Sequence, residues 1–465
     1  MNVRPGPRRP GAACPGAHRR RPPGAGVAGQ RGSVLVIVLW ITLGLVTITL
    51  YFAQAMTLEL RAADNRVAGL AADQAIEGAA RYVSYVLTTW ATNGAVPNLE
   101  DYQSQAVPVG EAHFWILGRA GDYAGTAGQV SPTSQSEPLF FALIDEGSKL
   151  NLNTVTASML ENLTNMTAEL AANLVDWRTS NAPTSANGDG PTAYARLTPA
   201  YAPKSAPYET TEELRLVYGL TPDLLVGEDV NRNGILDPDE IDFNRNGEAD
   251  PGLLDCCTVY SCEPNDSRTN VNSRAELATR LQETLNTDRA NEILRNLGPP
   301  TIPCRSLLEF YIRSRMTTDE FAQVADSLTA TNGATIAGRI NVNTASSMVL
   351  ACVPGLTPQL ADQLVTYRQT NPDKLSTVAW VKDALGQGQE AAALQAGPYL
   401  TTKSYQFTAD VAALGPFGRG YQRTRFVFDT SEGTPKILYR RDLGQLGWAL
   451  GKTIRQVWLA AKDTR

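Results

Sequence analysis

The most distinctive hydrophobic pattern in the chain is an uninterrupted apolar run near its beginning. Ser33 to Ala53 contains 21 residues and no charged one, and a helix of that length, at about 1.5 Å per residue, spans roughly the hydrocarbon core of a bilayer. From Gln54 to about Trp90, apolar positions recur at helical spacing between charged residues. The pattern therefore predicts one long helix over residues 33–95, whose first part crosses a membrane and whose second part packs on a domain.

Short alternating stretches on either side of a long central segment predict an antiparallel sheet. Two of them precede that segment and three follow it: Ala112–Gly118, Leu139–Glu146, Ser404–Leu414, Thr424–Thr430 and Lys436–Asp442. The segment between the two groups has mainly helical periodicity. We therefore expect an α+β fold: a pilin-like sheet domain formed by residues 96–148 and 403–465, interrupted by a large, mainly helical insertion of residues 149–402.

The insertion contains an internal repeat. Lys149–Arg178 (KLNLNTVTASMLENLTNMTAELAANLVDWR) aligns with Arg339–Arg368 (RINVNTASSMVLACVPGLTPQLADQLVTYR). Both copies have the frame N-x-N-T, then two apolar helical stretches, then an arginine next to an aromatic residue. Each copy predicts a pair of helices introduced by an Asn/Thr cap.

The same frame is typical of helix-hairpin-helix modules, some of which bind DNA. In those modules a Gly-apolar-Gly hairpin offers backbone N–H groups to a phosphate, because glycine permits close approach. Here the hairpins read Gly355-Leu356-Thr357 in one copy and Asn165-Met166-Thr167 in the other, so the second glycine is absent from both. The sequence favours packing between helices over DNA binding.

The charge distribution separates a basic leader from an acidic body. Residues 1–32 carry seven arginines and no acidic residue, whereas the rest of the chain has 34 basic and 47 acidic residues, a net charge of −13. The positive-inside bias keeps such a leader in the cytoplasm and sends the body across the membrane. A secretory signal is the alternative, although its apolar stretch usually has about 7 to 15 residues. An acidic body repels phosphate, so we expect no nucleic-acid partner.

Histidine is too scarce for most hydrolytic sites. The chain has two, His18 and His113, which leaves little material for a Ser-His pair or a histidine-rich zinc site. We expect no enzymatic activity.

Two consecutive loops within residues 229–255 predict calcium binding. In the first, DVNRNGILDPDE, the twelve-residue calcium pattern is complete, with a turn at Gly234. The second, DFNRNGEADPGL, lacks the closing acid because Leu253 stands there, so another carboxylate such as Asp255 has to complete it. The alternative is a polar loop that binds nothing. The predicted ligands are Asp229, Asn231, Asn233, the carbonyl of Ile235, Asp237, Glu240, Asp242, Asn244, Asn246, Glu248 and Asp250.

Four cysteines follow these loops closely. Cys256, Cys257, Cys262 and Cys304 lie within about fifty residues of one another, as in a disulfide framework formed in an oxidising compartment. Cys352, in the apolar stretch VLACVPGL, is a candidate for a buried thiol. Zinc has little support, since Cys256 and Cys257 are adjacent and no histidine accompanies them.

The leader, Gly32, the uncharged helix and its amphipathic extension together resemble the type IV pilin and pseudopilin class. The resemblance implies cleavage after Gly32 by a prepilin peptidase, methylation of Ser33, and a single-pass inner-membrane protein with most of its chain in the periplasm. Most members of the class have glutamate at the fifth mature position, where this chain has Ile37. The minor pseudopilin K family of type II secretion, general secretion pathway protein K, characteristically lacks that glutamate.

Further motifs extend the resemblance to the protein K family over nearly the whole mature chain. They occur in the family's order: DEGSKLNLNT at Asp145–Thr154, LVDWR at Leu174–Arg178, ETTEELRLVYGLTPDLL at Glu209–Leu225, and INVNTA at Ile340–Ala345. The resemblance implies a structural subunit at the tip of the pseudopilus, which starts assembly with the minor pseudopilins I and J and other pseudopilins for protein export across the outer membrane. Contact with the secretin or with secreted cargo is a further expectation.

Two arguments connect this resemblance to the tip. In the class, the fifth-position glutamate neutralises the terminal amine of the neighbouring subunit, so a subunit without it suits the first position. An insertion of about 250 residues is also hard to stack under a second copy. The alternative function is that of a minor type IV pilin-like protein for DNA uptake or adhesion. The acidic charge and the hairpins argue against DNA, and adhesion stays open.

Overall fold

A computed structural model of the chain describes residues 33–119, 139–179, 188 and 190–460. The chain divides into two compact units, one ending at Ala63 and the other beginning at Asp64. The predicted leader, including Gly32, lies outside the described residues. One helix, Ser33–Trp90, runs through 58 residues. Among the described residues it is the one helix long and apolar enough to cross a membrane, and its apolar side chains from Val34 to Phe52 are exposed.

The remaining elements are short. The α-helices of the described residues are α1 (Ser33–Trp90), α2 (Ala157–Leu160), α3 (Ala168–Arg178), α4 (Pro191–Ala195), α5 (Pro222–Val226), α6 (Leu253–Cys256), α7 (Arg274–Thr284), α8 (Thr287–Asn296), α9 (Leu307–Ser314), α10 (Thr318–Val324), α11 (Ser347–Ala351), α12 (Pro358–Thr370), α13 (Trp380–Leu385), α14 (Glu390–Ala396) and α15 (Gly451–Ala460). The strands are β1 (Val107–Val109), β2 (Ala112–Leu117), β3 (Ile144–Asp145), β4 (Leu150–Asn151), β5 (Cys257–Thr258), β6 (Cys262–Pro264), β7 (Thr269–Asn270), β8 (Leu328–Thr329), β9 (Thr335–Ala337), β10 (Ile340–Asn341), β11 (Leu400–Thr401), β12 (Gln406–Leu414), β13 (Gln422–Asp429) and β14 (Lys436–Asp442).

The second unit contains an antiparallel sheet made from both ends of its chain. Among the described residues its order is β1-β2-β12-β13-β14, and β3 also pairs with β12. The strands β1 to β3 precede the helical insertion and β12 to β14 follow it, so the predicted α+β class with an interrupted sheet is confirmed. The predicted strand at Lys436–Asp442 coincides with β14.

One face of the sheet packs against α1. Small residues such as Ala72, Ala75 and Ala79 let the helix lie close to the sheet, where Phe407 and Phe426 belong to the same buried cluster. The predicted apolar face of residues 54–90 includes Val67 and Leu70, but both are exposed, so the prediction is only partly correct.

The predicted strand at Leu139–Glu146 is mostly wrong. Only Ile144–Asp145 forms a strand, while Phe141 makes a single bridge to Leu117. The segment from Leu139 to Leu143 is buried throughout. A continuously buried segment is apolar throughout, whether or not its backbone pairs with a neighbouring strand. The sequence therefore could not distinguish a strand from an unpaired buried segment.

The described part of the insertion contains a third copy of the repeat that the sequence comparison missed. The copies begin at β4, β7 and β10, and each of these strands pairs in parallel with a strand later in the chain: β5, β8 and β11 respectively. The first asparagine of each copy accepts a hydrogen bond from the backbone N–H two residues later, at 2.9, 2.9 and 3.1 Å for Asn151, Asn270 and Asn341.

The third copy departs from the other two at the fourth residue of the frame and at the arginine of the second helix. Ser273 replaces the threonine of the frame, and Leu297 stands where the arginine of the other two copies aligns. In the other copies that arginine holds the first turn: Arg368 donates to the carbonyls of Val342 and Ala345 at 2.9 and 2.7 Å, and Arg178 binds the equivalent carbonyls. Asn-x-Asn followed by threonine or serine occurs at the start of all three copies and could have identified the third.

Candidate functional site

The first predicted calcium loop, Asp229–Glu240, gathers its polar side chains into one hydrogen-bonded cluster. The Asp229 carboxylate accepts from the backbone N–H groups of Asn233 and the next residue, at 2.9 and 2.7 Å. The side-chain amides of Asn231 and Asn233 both donate to Asp237 Oδ2, at 2.6 and 2.9 Å. Four of the predicted ligand positions therefore lie next to one another.

The second loop, Asp242–Leu253, is folded in the same way over its first nine positions. The Asp242 carboxylate accepts from the N–H groups of Asn246 and Gly247, at 3.2 and 2.9 Å, and the Asn244 amide donates to Asp250. Gly247 has a φ of +78°, close to the +89° of the first loop's glycine, a conformation that glycine adopts without strain. The sequence likeness between the two loops thus extends to their backbone hydrogen bonding.

The seventh positions are the least alike. Ile235 is buried, and its N–H donates to Asn233 Oδ1 at 3.0 Å. Glu248 is exposed, and its N–H donates to Asn246 Oδ1 at 2.8 Å. The carbonyl of Ile235 is the predicted ligand in the first loop, and the second loop is the more open to solvent.

Each loop is closed by a glutamate, although the second one does not contain its own. Glu240 accepts from the N–H groups of Asn231 and Asp237, at 3.1 and 2.9 Å. The corresponding place in the second loop is taken by Glu228, which precedes both loops and is 4% exposed.

The Glu228 carboxylate accepts from the N–H of Phe243 at 2.7 Å and from the N–H of Asp250 at 3.2 Å. In bonding the ninth residue and one near the start of the loop, it repeats what Glu240 does in the first loop. A search confined to the twelve loop positions could not find it.

The sequence suggestion that Asp255 completes the second loop is wrong. Arg119 bridges Asp255 and Asp229, with nitrogen–oxygen distances of 2.9 and 2.6 Å, and Arg232 lies 3.3 Å from Asp255. Burial opposes ionisation of Asp255, but Arg119 and Arg232 outweigh it and hold the pKa of this carboxyl well below its usual range. Asp255 is a partner of arginines, and Arg119 is a cation already bound to the first predicted calcium ligand.

The first loop is fixed to the sheet by a buried arginine. Arg423, on β13, donates to the backbone carbonyls of Asn231 and Arg232 at 2.6 and 2.7 Å. Its guanidinium also forms two hydrogen bonds with Asp410 on β12, at 2.8 and 2.9 Å, and Arg425 contacts the same carboxylate at 2.8 Å. Arg423 is fully buried, so the loop and the sheet share one desolvated charge network.

The residue types of the two loops fit calcium better than a transition metal. They are carboxylates, side-chain amides and a backbone carbonyl, the oxygen donors that calcium prefers. Within the described residues no three His, Cys, Asp or Glu side chains form a metal-binding group, so the asparagines have to supply part of the oxygen shell. Asn231 Oδ1 is buried without a hydrogen-bond partner. A half-turn of the Asn231 side-chain amide swaps its oxygen and nitrogen, so that the oxygen faces Asp237.

The cysteines near the loops do not form the predicted disulfides. All described cysteines, Cys256, Cys257, Cys262, Cys304 and Cys352, are free thiols. Cys256 Sγ contacts Met348 Sδ at 3.8 Å. Burial raises the pKa of the Cys257 and Cys352 thiols to about 12, which keeps both protonated at neutral pH.

The helix hairpin of the second repeat is packed against a neighbouring helix. At Gly355, an added Cβ would lie 2.9 Å from the Gln395 Cβ and 3.0 Å from the Ala392 carbonyl oxygen, both on α14. This hairpin is therefore packed against α14 at Gly355, whereas Thr357, where a second glycine would stand, is exposed. The arrangement favours the packing role expected from the sequence.

Comparison with known proteins agrees with this architecture. The family model for type II secretion system protein K matches residues 145–226. Residues 145–226 are a protein K domain. The resemblance read from the sequence is confirmed over this segment, which contains three of the motifs that carried it. A model of the helix-hairpin-helix motif matches residues 336–384, which include the second predicted repeat.

The protein K domain ends at Val226, two residues before Glu228 and the calcium-like loops. Among solved structures, a chain in the crystal structure of the GspK-GspI-GspJ complex from the type 2 secretion system of enterotoxigenic Escherichia coli aligns with 80% of this chain and 96% of its own length, at 12% identity and a TM-score of 0.41. No curated protein matches the sequence.

Proposed function

We propose that this chain is the minor pseudopilin at the tip of the type II secretion pseudopilus, where it starts assembly with the minor pseudopilins I and J. The protein K domain of residues 145–226 is the observation that carries the proposal. In this arrangement α1 anchors the chain in the inner membrane, the sheet and the insertion lie in the periplasm, and the assembly serves protein export across the outer membrane.

The attachment of the insertion supports the tip position. Arg423 and Asp410 join the first loop of the insertion to the sheet through buried charge-assisted hydrogen bonds, which are strong when desolvated. An insertion held in this way cannot swing aside to admit a second copy above it. Ile37 adds to this argument, since the subunit lacks the glutamate that would receive a neighbour's terminal amine.

Processing is the first point to test. We expect prepilin peptidase to cleave after Gly32 and leave Ser33 as a methylated N-terminus. Intact mass and N-terminal sequencing of membrane-extracted protein, with and without co-expressed peptidase, measure this directly. A new N-terminus near Ala53, or an uncut leader in the presence of active peptidase, would contradict the assignment to the pilin class.

The tip position is tested by composition. The full-length chain, extracted from membranes together with pseudopilins I and J, is expected to yield a complex with one copy of each. Cross-linking in intact pseudopili should join this chain to I and J and not to itself. Self-cross-links along the filament, or a complex that forms equally well without I and J, would remove the tip assignment.

We further propose that the two loops bind structural calcium, which braces the insertion beside the sheet. The proposal rests on the shared geometry of the loops and on Glu228 as the closing acid of the second one. Calorimetric titration of EDTA-treated full-length protein should give two calcium ions per chain and no comparable magnesium uptake, because calcium accepts such flexible oxygen shells more readily.

The Glu228→Gln variant distinguishes calcium binding by the second loop from calcium binding by the first. It should bind one calcium ion, while Glu276→Gln, an exposed change on α7, should still bind two. Two ions in Glu228→Gln would exclude this residue as a ligand. An absence of calcium uptake by the wild type would show that the loops are hydrogen-bonded turns without an ion.

A further inference from the structure

A cavity of about 180 Å³ lies between the first and second repeats of the insertion and the segment that follows the third. Thr154 and Met159 line it from the first repeat, Thr331 from the segment after the third, and Arg339 from the start of the second. At about 30 Å³ per water molecule, the space equals roughly six waters. It is large enough for a small organic molecule.

The charged lining of this cavity is entirely basic. Arg305 and Arg339 line it, and none of the described residues around it is an aspartate or a glutamate. Tyr399, together with Met159, gives part of its wall an apolar character. This combination stands out in a chain whose body is strongly acidic.

The acids behind the two arginines are shared with other arginines. Glu263 lies 3.7 Å from Arg339 and 3.3 Å from Arg268. In the same way, Glu309 lies 3.4 Å from Arg305 and 3.4 Å from a further arginine, Arg313. Each of the two arginines that line the cavity therefore shares its glutamate with a second arginine.

Arg339 is the more buried of the two arginines that line the cavity. It is 8% exposed, and its Nε is buried without a hydrogen-bond partner. Burial lowers the pKa of its guanidinium, and Arg268 adds to the effect, while Glu263 opposes it. A buried cation with an unsatisfied donor is stabilised by an anion that can accept from it.

We infer that this cavity binds a small organic oxyanion, a carboxylate or a phosphate carried on a short apolar group. The guanidinium groups of Arg339 and Arg305 are suited to oxyanions because each presents several N–H donors in a fixed plane. The hydroxyls of Thr154 and Thr331 offer further polar contacts at the wall, and Met159 and Tyr399 cover the apolar group.

The test uses hexanoate and hexyl phosphate as probes and hexan-1-ol as the neutral analogue. Each is titrated calorimetrically into the full-length chain in lipid nanodiscs, with empty nanodiscs as the blank. We expect saturable binding of at least one of the acids, and which of them binds distinguishes a carboxylate site from a phosphate site. Binding of hexan-1-ol as tight as that of the acids, or no saturable binding of either acid at millimolar concentration, would overturn the inference.

Variants then locate the site. Arg339→Gln should weaken binding at least tenfold, whereas Arg280→Gln, which removes an equal charge from the exposed face of α7, should not change it. Because Arg339 is buried, its replacement can also affect folding, so Arg305→Gln provides a second measurement; the Arg305 side chain is 65% exposed. Unchanged affinity in both the Arg339 and the Arg305 variants would place the binding elsewhere and overturn the inference.

Discussion

The side-chain amide of Asn341, at the start of the second repeat, donates to the carboxylate of Asp145, at the end of strand β3, over 2.8 Å. The hydroxyl of Thr344 and the N–H of Gly147 donate to the same carboxylate, each at 2.6 Å, and the hydroxyl of Ser404 also contacts it. Asp145 is fully buried. Two of these four donors, Asn341 and Thr344, belong to the insertion, so the carboxylate joins the sheet to the insertion.

Replacing Asp145 with alanine should be severely destabilising. The change leaves four buried donors without their acceptor, and we expect a loss of about 3 kcal/mol or more in the free energy of unfolding. Asn341→Ala should cost about 1–2 kcal/mol, and the double variant less than the sum, because the two changes remove one shared bond. Urea unfolding of the full-length chain measures the three values. Strict additivity would mean that the pair does not couple the sheet to the insertion.

Asp326 provides the control for this cycle. Its carboxylate is 68% exposed and pairs with Lys403 at the surface. Asp326→Ala should change the free energy of unfolding by less than about 0.5 kcal/mol, as is usual for exposed ion pairs.

The acid stability of the chain should depend on Asp410. Burial opposes ionisation of this carboxyl, but Arg423 and Arg425 outweigh it and hold its pKa well below the usual range. Since the pKa is lower in the folded state than in the unfolded state, the stabilisation is complete above about pH 4 and is lost as the pH falls further. We expect the free energy of unfolding to decrease progressively below pH 4. In Asp410→Asn this decrease should be smaller, at a cost of about 3–5 kcal/mol at neutral pH because Arg423 stays buried and unpaired.

Asp145 should have the opposite effect on the pH dependence of the free energy of unfolding. Burial raises the pKa of Asp145 despite the hydrogen bonds from Ser404, Thr344, Gly147 and Asn341. Its contribution to stability is therefore complete below the unfolded-state pKa of about 4 and declines as the pH rises through the folded-state value. Asp145→Asn should remove this decline, which comparison of unfolding curves from pH 4 to pH 8 can detect. An unaltered pH profile in the variant would mean that this carboxyl is already ionised in the folded chain.

The attachment of the sheet to α1 can be tested at two glycines. Gly420 has a φ of +67°, and an added Cβ would lie 2.4 Å from the backbone carbon of Ala68 in α1, whereas Gly433 has a φ of +85° and open space around it. Alanine at either position costs about 1–2 kcal/mol in left-handed strain. We expect Gly420→Ala to cost about 2 kcal/mol more, because the turn has to move away from the helix. Equal losses in chemical unfolding would argue against this close packing.

The second asparagine of the third repeat should contribute to the free energy of unfolding as its counterpart in the first repeat does. The amide of Asn272 donates to the carbonyl of Cys304 at 2.9 Å and accepts from its N–H at 2.8 Å. Asn153 holds Tyr208 in the same way, at 3.0 and 2.8 Å. Alanine at either asparagine should cost about 2–3 kcal/mol, since two buried backbone groups lose their partner. A negligible loss at Asn272 alone would mean that the third copy is only geometrically similar.

Sequence patterns predicted features that depend on local periodicity or fixed spacing. The β14 strand, the long helix and the Asn-x-Asn frame all follow from neighbouring residues, and so does the turn at Gly234. Features that depend on partners distant in sequence were not predicted. Glu228 reaches back from outside the loop it closes, and Arg119 binds Asp255 from 136 residues away.

Strand β3 pairs with β12 so that Asp145 lies opposite Phe407 and Ile144 opposite Thr408. The chain therefore departs from the sheet and returns to it at neighbouring positions, about 5 Å apart, a gap that a two-residue hairpin can bridge. The two covalent connections of the insertion to the sheet therefore lie side by side, between β3 and β12. A different inserted domain could replace this one without changing the order of the sheet strands. An engineered chain could carry such a replacement at the same junction.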